Sequence, residues 1–202
     1  MVAANPRRPP QHDEAGRERR TRSVLFVQGG GKGTHDTWDN KLVASLEKAL
    51  GGRYSIRYPR MPDEANPDAG AWKKAIDREL RQLEDGVVLV GHSIGGAVLI
   101  DHLADGAGPA KPAGIFLIAT PFIGDGGWPS DDLRPTEAVA AALSDGAPLY
   151  LYQGRDDETV PSSHIELFAR AFPRATIRVL EGRNHQLNDD LSELARDISL
   201  LE

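Results

Sequence analysis

Three side-chain types in this sequence stand where they could act together, each just after an aliphatic run. Ser93 lies in Gly91-His92-Ser93-Ile94-Gly95, behind Val87-Val88-Leu89-Val90 and ahead of the helix-like Gly96-Ala97-Val98-Leu99-Ile100. That context reads as strand, sharp turn, helix, with a serine at the apex. Glycines two residues to either side let the flanking backbones pass closely, and the N–H groups that open the helix face whatever sits above the hydroxyl. A carboxylate follows a later run, in Gly154-Arg155-Asp156-Asp157, and an imidazole follows the last, in Arg183-Asn184-His185. Serine is a poor nucleophile until a base takes its proton. Imidazole does this at neutral pH, and a carboxylate behind it fixes the tautomer and stabilises the imidazolium. The chemistry these residues suit is nucleophilic attack on a carbonyl, with Asp156 and Asp157 both open as the acid.

A fourth run, Val24-Leu25-Phe26-Val27, ends in Gln28-Gly29-Gly30-Gly31-Lys32-Gly33-Thr34. A phosphate-binding loop needs Lys followed directly by Ser or Thr, and here Gly33 intervenes, so that reading fails. The loop instead suits an oxyanion hole, with the N–H of Gly30 facing that of Ile94 and Gly29 beside them. His35 lies within reach of the same rim, and His92 is expected to line the pocket or support it while pointing away from the hydroxyl. His102 and His164 fall in helical stretches and are expected at the surface or satisfied. Asp131-Asp132 and Asp189-Asp190 read as helix starts or solvated carboxylates. No His/Asp cluster has metal-ligand spacing, so no metal and no cofactor is expected.

These residues need a scaffold that brings strand ends to one rim, and the remaining pattern supplies one. Helical spacing runs over Lys41 to Leu50, Ala71 to Leu83, Pro135 to Leu143, His164 to Phe172 and Gln186 to Leu200. Tyr54 to Tyr58, Ile115 to Ala119, Leu149 to Tyr152 and Thr176 to Leu180 read as strands. About six aliphatic strands alternating with about six helices predict a three-layer α/β sandwich around a mostly parallel six-stranded sheet. In such sheets chemistry gathers at the carboxyl ends of the strands. No internal repeat or second domain is visible.

Composition narrows the function classes. The 202 residues carry a net charge of −6, which argues against nucleic-acid binding, and no cysteine, which excludes disulfides and thiolate chemistry. No apolar stretch approaches the ~18 residues of a membrane span, and no hydrophobic segment follows the N-terminal arginines as a secretory or twin-arginine signal would require. A cytoplasmic protein is expected. Residues 1–21, with Pro6, Pro9, Pro10 and Arg7, Arg8, Arg17, Arg19 and Arg20 but little apolar content, read as a disordered basic tail, leaving 22–202 as the folded domain. Whether the tail has a protein partner is left open.

The Gly91–Gly95 elbow, the Asp157-Glu158-Thr159-Val160-Pro161 segment and His185, in the order Ser, Asp, His, resemble the α/β-hydrolase fold superfamily over about residues 22–200. The short chain, Thr34-His35 with Trp38 after the glycine turn, and the absence of a large lid look most like small bacterial serine hydrolases of the retinoblastoma-binding-protein-9/YdeN-like type. The resemblance implies Ser93 as nucleophile, His185 as base and Asp157 as acid. It departs from many relatives in having Gln28-Gly29 where they have His-Gly, and in lacking leading antiparallel strands. The implied activity is cleavage of a carboxylic ester or thioester of a small-molecule acyl substrate, through an acyl-enzyme. Two rivals use the same fold. A non-catalytic scaffold would tolerate Ser93→Ala, and an acyl transferase or perhydrolase would reveal itself when other nucleophiles are added to an ester assay.

Overall fold

The computed structural model describes residues 21–106 and 110–201. Residues 1–20 lie outside it, and with them all but the last residue of the expected tail. Six strands, β1 (Arg22–Val27), β2 (Tyr54–Arg57), β3 (Val88–His92), β4 (Gly114–Ile118), β5 (Leu149–Gly154) and β6 (Thr176–Leu180), form one sheet in the order β2-β1-β3-β4-β5-β6. Every pairing is parallel. Among the described residues five α-helices cross between them, α1 (Asn40–Leu50), α2 (Ala69–Leu80), α3 (Ile94–Ala104), α4 (Thr136–Ala142) and α5 (His164–Ala171), and α6 (Ser192–Ser199) follows β6.

The alternation of side chains along a strand divides the core in two. Leu25, Val27, Leu89, Ile115 and Leu117 face the layer holding Trp72 and Ile76 of α2, Leu99 of α3, Val139 of α4 and Phe168 of α5. Val24, Phe26, Val88, Val90, Phe116 and Ile118 face the other, where Leu42 and Leu46 of α1 meet Leu194 and Ile198 of α6. Strands β3 and β4 are buried along their whole length, which is why they read as continuous aliphatic runs. This is an α/β-hydrolase sandwich without a large lid. No helix among the described residues is long and apolar enough to cross a membrane.

Register brings the strand ends level. Val27 pairs with Gly91, and His92 pairs with Ile118. Gln28, Ser93 and Ala119 therefore emerge side by side, and β1 and β3 flank the point where the strand order reverses, the usual location of a site in such sheets. One element departs from the periodicity. The last helix begins at Ser192 rather than Gln186, because Leu187, Asn188 and Asp189 all adopt positive φ (50°, 55° and 57°) in a left-handed turn. Paired hydrogen bonds hold that turn: Asn184 N–H to Asn188 Oδ1 at 3.1 Å and Asn188 N–H to Asn184 Oδ1 at 2.9 Å. Asp190 then accepts the Ser192 N–H at 3.0 Å and starts α6.

The segment after β4 is anchored in the core by its first residues. Phe122 and Ile123 are buried, and Trp128 N–H returns to the Phe122 carbonyl at 2.8 Å. Ile123 N–H donates to Thr136 Oγ1 at 2.8 Å, pinning the segment to α4.

Candidate active site

Ser93 joins β3 to α3 with φ 52° and ψ −133°. A non-glycine residue in this region costs on the order of 1–3 kcal/mol and is held only by its surroundings. Those surroundings are tight. A Cβ on Gly95 would lie 2.0 Å from the Gln28 carbonyl oxygen, and one on Gly91 would lie 2.5 Å from Gly96 Cα. Ser93 N–H donates to the Ile118 carbonyl at 2.8 Å, and its own carbonyl receives Gly96 N–H at 3.0 Å. Both backbone groups of Ser93 are thus engaged, while its hydroxyl has no hydrogen-bond partner among the described residues.

The loop after β6 presents His185, whose Nδ1 lies 2.8 Å from Asp157 Oδ2. Since a carboxylate only accepts, Nδ1 carries the proton, and in the neutral ring Nε2 is left as an acceptor. The Asp157 carboxylate is fully enclosed. Its Oδ1 accepts the N–H groups of Thr159 at 2.8 Å and Val160 at 2.9 Å, and Oδ2 also accepts Gln153 Nε2 at 2.9 Å. Burial pushes this carboxyl upward. The hydrogen bond and charge of His185, with the two backbone N–H groups, outweigh burial and hold it below its ordinary value. Asp156 is exposed, its N–H on the Arg183 carbonyl, and Arg155 pairs with Glu181 instead of with Asp156. The end of β5 presses on the histidine loop, since a Cβ on Gly154 would meet the Arg183 carbonyl oxygen at 2.2 Å.

The glycine loop after β1 is bolted from below by residues that sequence reading did not single out. The Glu64 carboxylate accepts Gly33 N–H at 2.9 Å, His35 N–H at 3.0 Å and the Gln28 side-chain amide at 2.7 Å. Its backbone carbonyl takes Gly31 N–H at 2.6 Å. Gln28 is fully buried, and its Oε1 receives Met61 N–H at 3.0 Å. Gly29 N–H donates to Asp39 Oδ2 at 2.7 Å. The N–H groups of Gly30 and Ile94 have no partner among the described residues. Gly30 sits against Ile94, for a Cβ there would be 2.9 Å from Ile94 Cγ2 and 2.7 Å from Pro67 Cγ.

The other histidines have these surroundings. His35 stacks on Tyr58 with ring centroids 4.2 Å apart, its Nδ1 on Asp36 and its Nε2 on the Tyr58 carbonyl. His92 is buried between Asp39 and the His185 carbonyl. His164 is buried, with Nδ1 accepting Phe122 N–H at 3.0 Å, and burial lowers its pKa. His102, expected at the surface or satisfied, is buried, and its Nε2 has no hydrogen-bond partner among the described residues. Asp39 and Glu64 were missed because their partners lie 53 and 36 residues away in sequence, His92 and Gln28 respectively, and no local pattern marks such contacts. Among the described residues no group of three or more His, Asp or Glu side chains is arranged to hold a metal.

Residues 24–197 match the family model described as "Alpha/beta hydrolase family". No curated protein sequence matches the chain. The ydeN gene product of B. subtilis has a similar fold at 17% identity and a TM-score of 0.70, over 89% of this chain and 97% of that one. A monoacylglycerol lipase from Paleococcus ferrophilus is similar at 16% identity and a TM-score of 0.61, over 90% and 95% of the two chains. The esterase domain of a Rhodothermus marinus protein follows at 18% identity and a TM-score of 0.62, over 90% and 86%. At these identities the likeness is one of fold.

Proposed function

The chain belongs to the alpha/beta hydrolase family, and on that premise we propose that it is a serine hydrolase of carboxylic esters or thioesters, working through Ser93, His185 and Asp157. The observation that carries this reading is the hydrogen bond from His185 Nδ1–H to the enclosed Asp157 carboxylate, which leaves Nε2 as a base on the rim where the strained Ser93 turn emerges. Ser93 Oγ attacks the acyl carbon while His185 Nε2 takes its proton. The oxyanion that forms is met by the N–H groups of Gly30 and Ile94, both free of other partners among the described residues. The tetrahedral intermediate collapses, His185 returns the proton to the departing alcohol or thiol, and the acyl group stays on Ser93. A water deprotonated by His185 then attacks the ester, and the second intermediate releases the acid and restores Ser93–OH. Each step uses only groups of the chain, the acyl substrate and water.

Phe122 and Ile123 of the segment Thr120 to Arg134 are buried in the core, and a fold without a large lid suits a short acyl group or the exposed end of a longer chain. A panel of aryl esters and acyl thioesters of increasing chain length, with Ser93→Ala as control, tests the reading. Turnover of short-chain esters that disappears in the variant is expected. Absence of turnover across the panel by wild-type protein, or its persistence in Ser93→Ala, would overturn it.

A further inference from the structure

Directly behind the Ser93 turn lies a second acid–histidine couple that the reaction above does not use. His92 and Asp39 are 1% and 0% exposed. His92 Nδ1 is 2.9 Å from both carboxylate oxygens of Asp39, although only the contact to Oδ2 is aligned as a hydrogen bond. On the far side of the ring, Nε2 is 3.2 Å from the backbone carbonyl oxygen of His185. The His92 and His185 rings lie 4.9 Å apart. Asp39 Oδ2 also accepts Gly29 N–H, and a Cβ on Gly29 would touch His92 Nδ1 at 3.0 Å. One buried pair thus links three segments: the glycine loop after β1, the serine turn after β3 and the histidine loop after β6.

The proton count follows from the partners. A carbonyl oxygen offers only lone pairs, so the Nε2 contact is attractive only if Nε2 bears a proton. A carboxylate makes the same demand on Nδ1, and Gly29 N–H fixes Oδ2 as an acceptor. A singly protonated ring would set a nitrogen lone pair against one of these oxygens in a site closed to water, at the cost of an unmade buried hydrogen bond. We propose that His92 is held as an imidazolium by Asp39, and that this ion pair is a clamp positioning the base loop at His185 and the oxyanion loop at Gly29-Gly30 around Ser93. The assignment deepens the serine-hydrolase reading and rests on it for its catalytic consequence, while the protonation state stands independently. The charged and titratable groups facing His92 from the surrounding segments are Asp39, Asp157 and His185. Burial alone would lower the His92 pKa. The charge and hydrogen bond of Asp39, then the His185 carbonyl and the charge of Asp157, outweigh it and leave the ring above its ordinary value.

Both halves are testable on the full chain. In ¹⁵N spectra of the labelled protein, the imidazole signals that vanish in His92→Gln identify His92. They are expected to show two protonated nitrogens from about pH 6 to about pH 9, where a free imidazole would lose its charge. Asp39→Asn keeps an acceptor for Gly29 N–H but offers an N–H to Nδ1, so in that variant His92 should show protonation at Nε2 alone. A wild-type ring protonated on one nitrogen, or titrating like a free imidazole, would overturn the clamp whatever the activity. Kinetically, His92→Gln should lower kcat per fluorophosphonate-titrated Ser93 by about tenfold to a hundredfold with little change in KM, the scale of other shells that orient reacting groups. A role in folding alone would reduce the number of titratable sites and leave kcat per site intact, and that result would overturn the positioning role. Failure of wild-type protein to label at Ser93 would count against the hydrolase reading, and the spectra would still judge the protonation state.

Discussion

Substituting Gly95 by alanine sets two effects against each other, and their sizes predict the outcome. Gly95 is the second residue of α3, where alanine is favoured over glycine by about 1 kcal/mol. On propensity alone the variant would be more stable. The new Cβ, however, would stand 2.0 Å from the Gln28 carbonyl oxygen, 2.9 Å from its carbon and 3.1 Å from Val27 Cγ1. Cβ atoms do not approach other heavy atoms closer than 3.0 Å, so the Gln28 backbone must recede by about 1 Å. Overpacking costs about 1–3 kcal/mol, and the upper end applies because the closest opposing atoms are main chain, one residue past the end of the β1–β3 ladder, rather than the end of a flexible side chain. The net is a loss of about 2 kcal/mol, or a fall in Tm of about 4–8 °C for a domain of this size. Gln28 leads directly into Gly29-Gly30, so the shift moves the proposed oxyanion donor by a similar distance. Loss of one such donor lowers kcat by about 10²–10³. Thermal unfolding and steady-state ester hydrolysis read the two effects, with Gly52→Ala as control. Gly52 has open space around it and should change stability by less than about 0.5 kcal/mol. A Gly95→Ala protein as stable and as active as wild type would refute the steric reasoning.

The two adjacent aspartates should separate cleanly. Asp157→Asn is expected to keep the fold but lower kcat by about 10⁴ by reversing the His185 tautomer, whereas Asp156→Asn, at an exposed side chain, should stay within about twofold; the reverse order would move the acid by one residue. Asp190 tests the acid limb of stability. The Ser192 backbone and side chain, then Arg183, hold its carboxyl at about 2, below its ordinary 3.8. A folded pKa below the unfolded one gives stabilisation that is complete above the unfolded value and lost as pH falls through the folded one. Asp190→Asn should therefore lower the urea midpoint at pH 7 and matter progressively less between about pH 4 and about pH 2. A difference from wild type that is unchanged at low pH would contradict this.

The fold was legible because its signals are local. Val24–Val27, Val87–Val90 and Ile115–Ile118 are buried on both faces, so their aliphatic runs survive in the sequence as strands. Ser93 was legible for the same reason, since the glycines that allow the turn lie within three residues of it. The left-handed turn at Leu187–Asp189 was not legible. The apolar spacing from Leu187 to Leu200 has helical period, and the Asn184–Asn188 exchange that breaks it depends on side-chain geometry. Asp39 and Glu64 were invisible because each looks like an ordinary polar residue until the fold brings its distant partner alongside, and Gln28 was noted only as a departure from the family pattern, its contacts unforeseen. His92 was visible as a neighbour of Ser93. Its alternation away from the hydroxyl was expected, but the carboxylate awaiting it was not.

The central claim is that Ser93 is the single activated serine, and covalent labelling tests it most directly. After treatment of the full chain with a fluorophosphonate probe, intact-mass spectrometry should show a single adduct per chain, located by peptide mapping to Ser93 and absent from Ser93→Ala. Asp157→Asn should label far more slowly, because His185 then lacks the acceptor that fixes its tautomer. An adduct on another residue, or undiminished labelling of Ser93→Ala, would contradict the account.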